Sequence, residues 1–242
     1  MAKVVMVTGA SAGLGRALVR ALVERGDVAI AVARRSDQLD ETVKDLDPAR
    51  ILTATADVRD AEALAAIATA ARARFGKVDG LFANAAIYPR GRIHEQGSAE
   101  ALDVMAVNVV GVANAIRAVL PGMMRAAHGR IVVLGSFADL APLPDSWAYS
   151  ASKGAIHALA RAAAAEVAGD YPDILVNEWV PGVLRTEMGI ADGIDPAVAA
   201  VWGLRWIDLP PGGPNGRMFS GETIVEPPVG LKRKLLRRVG LG

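Results

Sequence analysis

Short apolar runs rich in Val, Ile and Leu alternate with longer Ala-rich segments along this chain, and that rhythm leaves few folds open. The pattern predicts strands over Lys3–Thr8, Val28–Ala33, Ile51–Ala56, Val78–Asn84, Ile131–Leu134 and Ile174–Trp179. Between them it predicts helices over Gly15–Arg25, Ala61–Phe75 and Trp147–Ala168. Ala99–Ala127 reads as two helices, or one interrupted near Pro121–Gly122. Strands that are apolar throughout, separated by helices, belong to a parallel sheet covered on both faces. The expectation is therefore α/β: a doubly wound parallel sheet with helices on both faces. The chain has 242 residues, which suits a single domain spanning 1–242. The periodicity weakens beyond Asp192, and Leu209–Arg217 is too dense in Pro and Gly for helix or strand.

Composition removes several kinds of chemistry. The absence of cysteine excludes disulfides, thiolate metal sites and a cysteine nucleophile. The histidines, His94, His128 and His157, lie far apart in sequence and do not suggest a metal site. A net charge of +1 gives no general attraction to nucleic acid, and no nucleic-acid partner is expected. The apolar run Val4–Val7 is too short for a signal-peptide core. No continuous run approaches the roughly 20 apolar residues of a membrane span, so a cytoplasmic protein is expected. Residues 231–242 form a basic tail with Lys232, Arg233, Lys234, Arg237 and Arg238. A solvated terminal face is its ordinary reading; an amphipathic helix touching a membrane or an acidic partner is the sharper one.

The first strand runs into Thr8-Gly9-Ala10-Ser11-Ala12-Gly13-Leu14-Gly15 and then a helix. Glycines there let the backbone approach a ligand closely, and the free N–H groups of a helix start favour a pyrophosphate. The second strand ends Ala33-Arg34-Arg35, with no carboxylate before Asp37. A carboxylate at that place would bond a ribose 2′-hydroxyl, whereas a guanidinium accommodates a 2′-phosphate. NADP(H) is therefore expected over NAD(H).

Tyr149 and Lys153 are spaced i, i+4 near the start of a helix and so share a face. An ammonium beside a phenol favours the phenolate and makes it a usable acid and base. Ser136 follows the fifth strand, at the sheet edge where open α/β sheets bind ligands. Asn108 is a polar residue in a strongly apolar helical stretch, either a satisfied core amide or part of a proton relay.

Taken together, Thr8–Gly15, Asp57-Val58, Asn84-Ala85, Asn108, Ser136, Tyr149 with Lys153, and Pro181-Gly182 followed by Thr186 resemble the short-chain dehydrogenase/reductase superfamily over about residues 3–190. The resemblance implies a Rossmann-like fold and hydride transfer between a nicotinamide and a ketone or aldehyde. It gives Tyr149 the role of general acid and base, and Lys153 that of lowering the Tyr149 pKa and holding the nicotinamide ribose. It makes Ser136 a donor to the substrate oxygen and Asn108 the holder of a water that links Lys153 to solvent. Gly9, Ser11, Gly13, Leu14 and Gly15 would line the phosphates, and Arg34, with Arg35 second, the 2′-phosphate. Asp57 and Val58 would meet adenine, and Asn84 and Ala85 the adenine ribose. Pro181, Gly182, Val183 and Thr186 would hold the nicotinamide amide, though a helix N-cap explains Thr186 equally well.

Three places depart from the family pattern. Ala86 stands where the family's N-N-A-G motif has glycine, so this backbone must avoid positive φ or carry strain. Ala12 stands where many NADPH-preferring members carry a basic residue. The C-terminal segment lacks the closing Gly-Gly of many acyl-carrier-protein reductases. That favours a carbonyl reductase over the alternative, a 3-oxoacyl-thioester reductase. A catalytically silent nucleotide sensor is the alternative of another class, and the intact Asn108, Ser136, Tyr149 and Lys153 set speaks against it. Residues 183–217 and Phe137–Trp147 are expected to shape the substrate site, with Ser136, Tyr149 and Trp147 in contact with substrate and a mobile lid after Gly182. A homodimer or homotetramer built on the two long central helices is also expected.

Overall fold

The computed structural model describes residues 2–225; the basic tail at 231–242 lies outside the described residues. Parallel strands β1 (Val4–Thr8), β2 (Val28–Ala33), β3 (Ile51–Thr55), β4 (Gly80–Ala83), β5 (Gly129–Leu134), β6 (Ile174–Val180) and β7 (Met218–Ser220) make one sheet. A short antiparallel strand, β8 (Thr223–Val225), closes its edge. The order β3-β2-β1-β4-β5-β6-β7-β8 reverses direction between β1 and β4. The crevice beyond the carboxyl ends of those two strands is where such sheets bind ligands.

The sheet is fully buried at its centre, and its side chains alternate between two cores. On one face Met6, Ile30, Ile131, Val133 and Val176 pack under α3 (Ala61–Phe75), α5 (Gly111–Ala126) and α6 (Trp147–Ala168). On the other, Val5, Val7, Phe82, Val132 and Trp179 pack under α1 (Gly13–Glu24) and α7 (Pro196–Ile207). Local signals set the helix ends. The Asp60 carboxylate accepts the Ala63 N–H at 2.9 Å to start α3, and Gly76, at φ +81°, ends it.

Several expectations needed correction. Two helices went unread: α2 (Ser36–Val43) and α7, which begins with Asp195 accepting the Ala197 N–H at 2.8 Å and Pro196 in the first turn. Because α7 buries Ala199, Ala200, Leu204, Trp206 and Ile207 in the core, the helical part of 183–217 is also scaffold. The break foreseen at Pro121 is absent. Pro121 sits inside α5, where the buried face of Val112, Ala115, Ile116, Val119 and Met123 outweighs the lost hydrogen bond. The irregularity falls instead at a π turn, Ala106–Val110, joining α4 (Ser98–Met105) to α5. The continuous helix Ser98–Ala126 is long and apolar enough to cross a membrane, contrary to expectation, yet 56% of its most apolar stretch is buried in the protein. Ala86 lies outside the positive-φ region, so the missing glycine causes no backbone strain.

Candidate active site

The glycine turn after β1 is held by its neighbours. Asn84 Nδ2 donates to the carbonyls of Thr8 at 2.9 Å and Gly9 at 3.3 Å, while Thr8 Oγ1 accepts the N–H groups of Asn84 and Ala85. A Cβ at Gly15 would overlap the Gly9 carbonyl oxygen and sit 2.7 Å from Asn84 Nδ2, so this position requires glycine. The Asn84 side chain thus fastens β4 to the turn. Helix α1 starts at Gly13 with no capping side chain and no acid in its first turn. Its first N–H groups therefore suit an anion, and the turn fits the pyrophosphate of a dinucleotide.

Two basic side chains follow β2 and turn to different partners. Arg35 Nη2 donates to Ser11 Oγ of the glycine turn at 3.4 Å. Arg34 points instead to Asp57, its Nη1 3.8 Å from Oδ2. Asp57 is also clamped by Arg59 at 2.7 Å, and these hydrogen bonds hold its carboxyl below the usual range despite partial burial. Val58 is buried: a Cβ on Gly111 would overlap its side chain, and its carbonyl accepts Asn114 Nδ2 at 3.1 Å.

On the far side of the crevice, β6 is followed by buried Pro181 and by Gly182 at φ +96°. The chain then turns back so that Thr186 Cγ2 lies 3.0 Å from where a Gly13 Cβ would stand. Thr186 Oγ1 accepts the Gly189 N–H at 3.1 Å, so this residue both closes a local turn and faces the glycine loop. Val183 is exposed beside it.

Ser136, Tyr149 and Lys153 converge at the same edge of the sheet. The Ser136 hydroxyl accepts the Ala138 N–H at 3.1 Å and favours the ionised form of the Tyr149 phenol; burial outweighs this and raises the phenol's pKa. Lys153 is buried, its Nζ donating to the Leu134 carbonyl at 2.7 Å and lying 5.6 Å from the centre of the Tyr149 ring. Burial lowers its pKa to about 8. The lowering expected from Lys153 does not set the net direction at the phenol, which desolvation of Tyr149 drives upward.

The Asn108 side chain finds its partners within the protein. Its Oδ1 accepts the Ile87 N–H at 2.8 Å, and its Nδ2 donates to the Ile87 carbonyl and Ser152 Oγ, each at 3.0 Å. The amide is spent on tying the loop after β4 to α6. Its π turn is the feature that stands out, since such turns recur at functional sites.

One neighbour went unread. Tyr88, on the loop after β4, stacks on Tyr149 with ring centres 4.2 Å apart and planes 26° from parallel. The Arg90 guanidinium lies 5.0 Å from the Tyr88 ring centre. Trp147, expected to touch substrate, lines a cavity of about 430 Å³ with Ile93, Leu143 and Pro144, which neither Ser136 nor Tyr149 reaches. Exposed Phe137, Leu140, Leu143, Met188 and Ile190 come from the loops after β5 and β6.

Residues 3–195 match the short chain dehydrogenase family. The chain belongs to that family. It is 36% identical over 194 residues to 2-(R)-hydroxypropyl-CoM dehydrogenase of Xanthobacter autotrophicus, covering 78% of this chain and 77% of the relative. It is 37% identical over 215 residues to galactitol 2-dehydrogenase (L-tagatose-forming) of Cereibacter sphaeroides, covering 87% and 81%. Among solved structures, a short-chain dehydrogenase from Streptomyces avermitilis superposes with a TM-score of 0.80 at 32% identity, over 91% of this chain and 88% of the other. This short-chain dehydrogenase is thus an oxidoreductase of a family that uses a nicotinamide cofactor, and the glycine turn described above is shaped for one.

Proposed function

We propose that the protein interconverts a ketone or aldehyde and an alcohol using NADP(H), with Tyr149 moving the proton. One observation carries this reading: Ser136, Tyr149 and Lys153 converge at the sheet edge where the glycine turn and the Pro181–Thr186 segment also meet. Gly9, Ser11, Gly13, Leu14 and Gly15 would hold the pyrophosphate, and Arg35 with Arg34 the 2′-phosphate. Asp57, Val58, Asn84 and Ala85 would border the adenosine. Pro181, Gly182, Val183 and Thr186 would hold the nicotinamide amide, and Lys153 its ribose. When bound, the nicotinamide supplies or accepts the hydride.

The chain's own part is proton delivery and charge stabilisation. Ser136 and Tyr149 offer two hydroxyl donors to a carbonyl oxygen, where negative charge develops. Burial keeps Tyr149 in its phenol form, so it carries the proton that the reduced oxygen must receive. Delivery leaves a phenolate, which the Ser136 hydroxyl and the Lys153 ammonium stabilise. Lys153, with its pKa brought to about 8, can lose and regain a proton near neutrality and so help restore the phenol. Alcohol oxidation runs the same transfers in reverse.

Relatives named as dehydrogenases of a 2-hydroxypropyl compound and of galactitol at position 2 support a secondary alcohol and its ketone as substrates. The exposed apolar rim of Phe137, Leu140 and Met188 supports a substrate with an apolar portion. The deciding assay is oxidation of NADPH, and of NADH beside it, with ketones, aldehydes and acetoacetyl thioesters. Faster turnover of simple ketones with NADPH is expected; turnover confined to thioesters would replace this reading with 3-oxoacyl-thioester reduction. We also propose a subunit contact on the face of α4 and α6 where Leu102 is 68% exposed beside Ala151.

A further inference from the structure

A second ionisable pair stands one helical turn from Lys153. Glu178 is an acid in the middle of buried β6 and only 2% exposed. Its Oε2 meets His157 Nδ1 at 2.7 Å, and His157 stands i, i+4 from Lys153 on α6. Its Oε1 occupies the space over Gly135, where a Cβ would overlap it and lie 2.7 Å from Glu178 Cγ. Gly135 immediately precedes Ser136. Burial raises the Glu178 pKa; among the described residues, the charges facing it come from two elements, His157 and Lys153 on α6 working against burial and Asp139, in the turn after Ser136, adding to it. Glu178 in turn favours the charged form of Lys153 against burial. A carboxylate this deep is costly unless it is paired, and nothing in the proposed reaction uses it directly.

We propose that Glu178, bonded to His157, is a positioning residue for the catalytic centre: a buried counter-charge that keeps Lys153 protonated and braces the Gly135–Ser136 backbone. This rests on the reaction proposed above. The His157 side chain is 34% exposed, whereas that of Glu178 is 3% exposed.

The test is an NMR titration of protein labelled at lysine Cε, with Lys153 assigned by Lys153→Met. Glu178→Gln should lower the Lys153 midpoint by about one pH unit, the low end for an adjacent opposite charge. The alkaline limb of alcohol oxidation should fall with it, and Glu178→Asp should restore most of both. An unchanged midpoint in Glu178→Gln overturns the proposal even if activity drops, because a merely structural role would do the same. Should that variant fail to fold, Lys153→Met reads the coupling from the other side: the labelled Glu178 carboxyl should titrate at higher pH than in wild type, and no rise overturns the proposal. A wild type without alcohol or ketone turnover would defeat the proposed reaction while leaving both titrations readable.

Discussion

The ring of Tyr88 lies flat against the ring of Tyr149, the two centres 4.2 Å apart. Stacking of this kind is worth about 1 kcal/mol and here fixes the plane in which the Tyr149 hydroxyl is presented. Tyr88→Phe keeps the ring and should retain near-normal turnover. Tyr88→Ala should lower kcat by about fivefold, roughly the rate equivalent of that stacking energy. Steady-state kinetics on the two variants check this; equal turnover in both would remove Tyr88 from the account.

Arg35, not Arg34, touches the glycine turn through Ser11. Arg35→Ala should therefore weaken NADPH binding by about 10- to 100-fold, the range for a lost hydrogen bond to a charged group, and leave NADH binding unchanged. Arg34→Ala should cost less, since Arg34 is directed to Asp57. Fluorescence titration with each dinucleotide separates the two.

Gly15 has no room for a side chain between Gly9 and Asn84. Because the obstruction is backbone on one side and a doubly bonded amide on the other, relief by side-chain rotation is not available. Gly15→Ala should destabilise the fold by about 3 kcal/mol, the upper range for overpacking, and abolish dinucleotide binding. The denaturant midpoint and a binding assay report the two effects.

Lys153 makes stability depend on pH. Its pKa is depressed on folding to about 8, so between that value and the ordinary lysine range the unfolded chain binds the extra proton. Stability contributed at this site should therefore rise with pH across that window, by up to about 3 kcal/mol. The difference in unfolding free energy between wild type and Lys153→Met should move in favour of wild type as pH climbs from about 8 to about 10.

Much of this site could be read from the residues in order because its chemistry is local. The Thr8–Gly15 turn, the i, i+4 spacing of Tyr149 and Lys153, and the serine after β5 each carry a physical reason within a few residues. What escaped was non-local or masked. No spacing rule joins Tyr88 to Tyr149, which meet only because β4 and β5 are neighbours. Helix α7 was hidden by an apolar composition without polar periodicity, although Asp195-Pro196 is a helix-start signal. Glu178 was visible as a lone acid in the strand Ile174–Val180, but its partner His157 belongs to another element. Pro121 misled because local propensity yields to a well-packed helix face.

The reaction itself stands or falls on the phenol of Tyr149. Tyr149→Phe removes one oxygen and leaves the stack on Tyr88 and the bond from Lys153 to Leu134 in place. Ketone reduction by this variant should fall by about 10²- to 10⁴-fold, the contribution of a positioned proton donor, with NADPH affinity unchanged. Reduction at an undiminished rate would contradict the account.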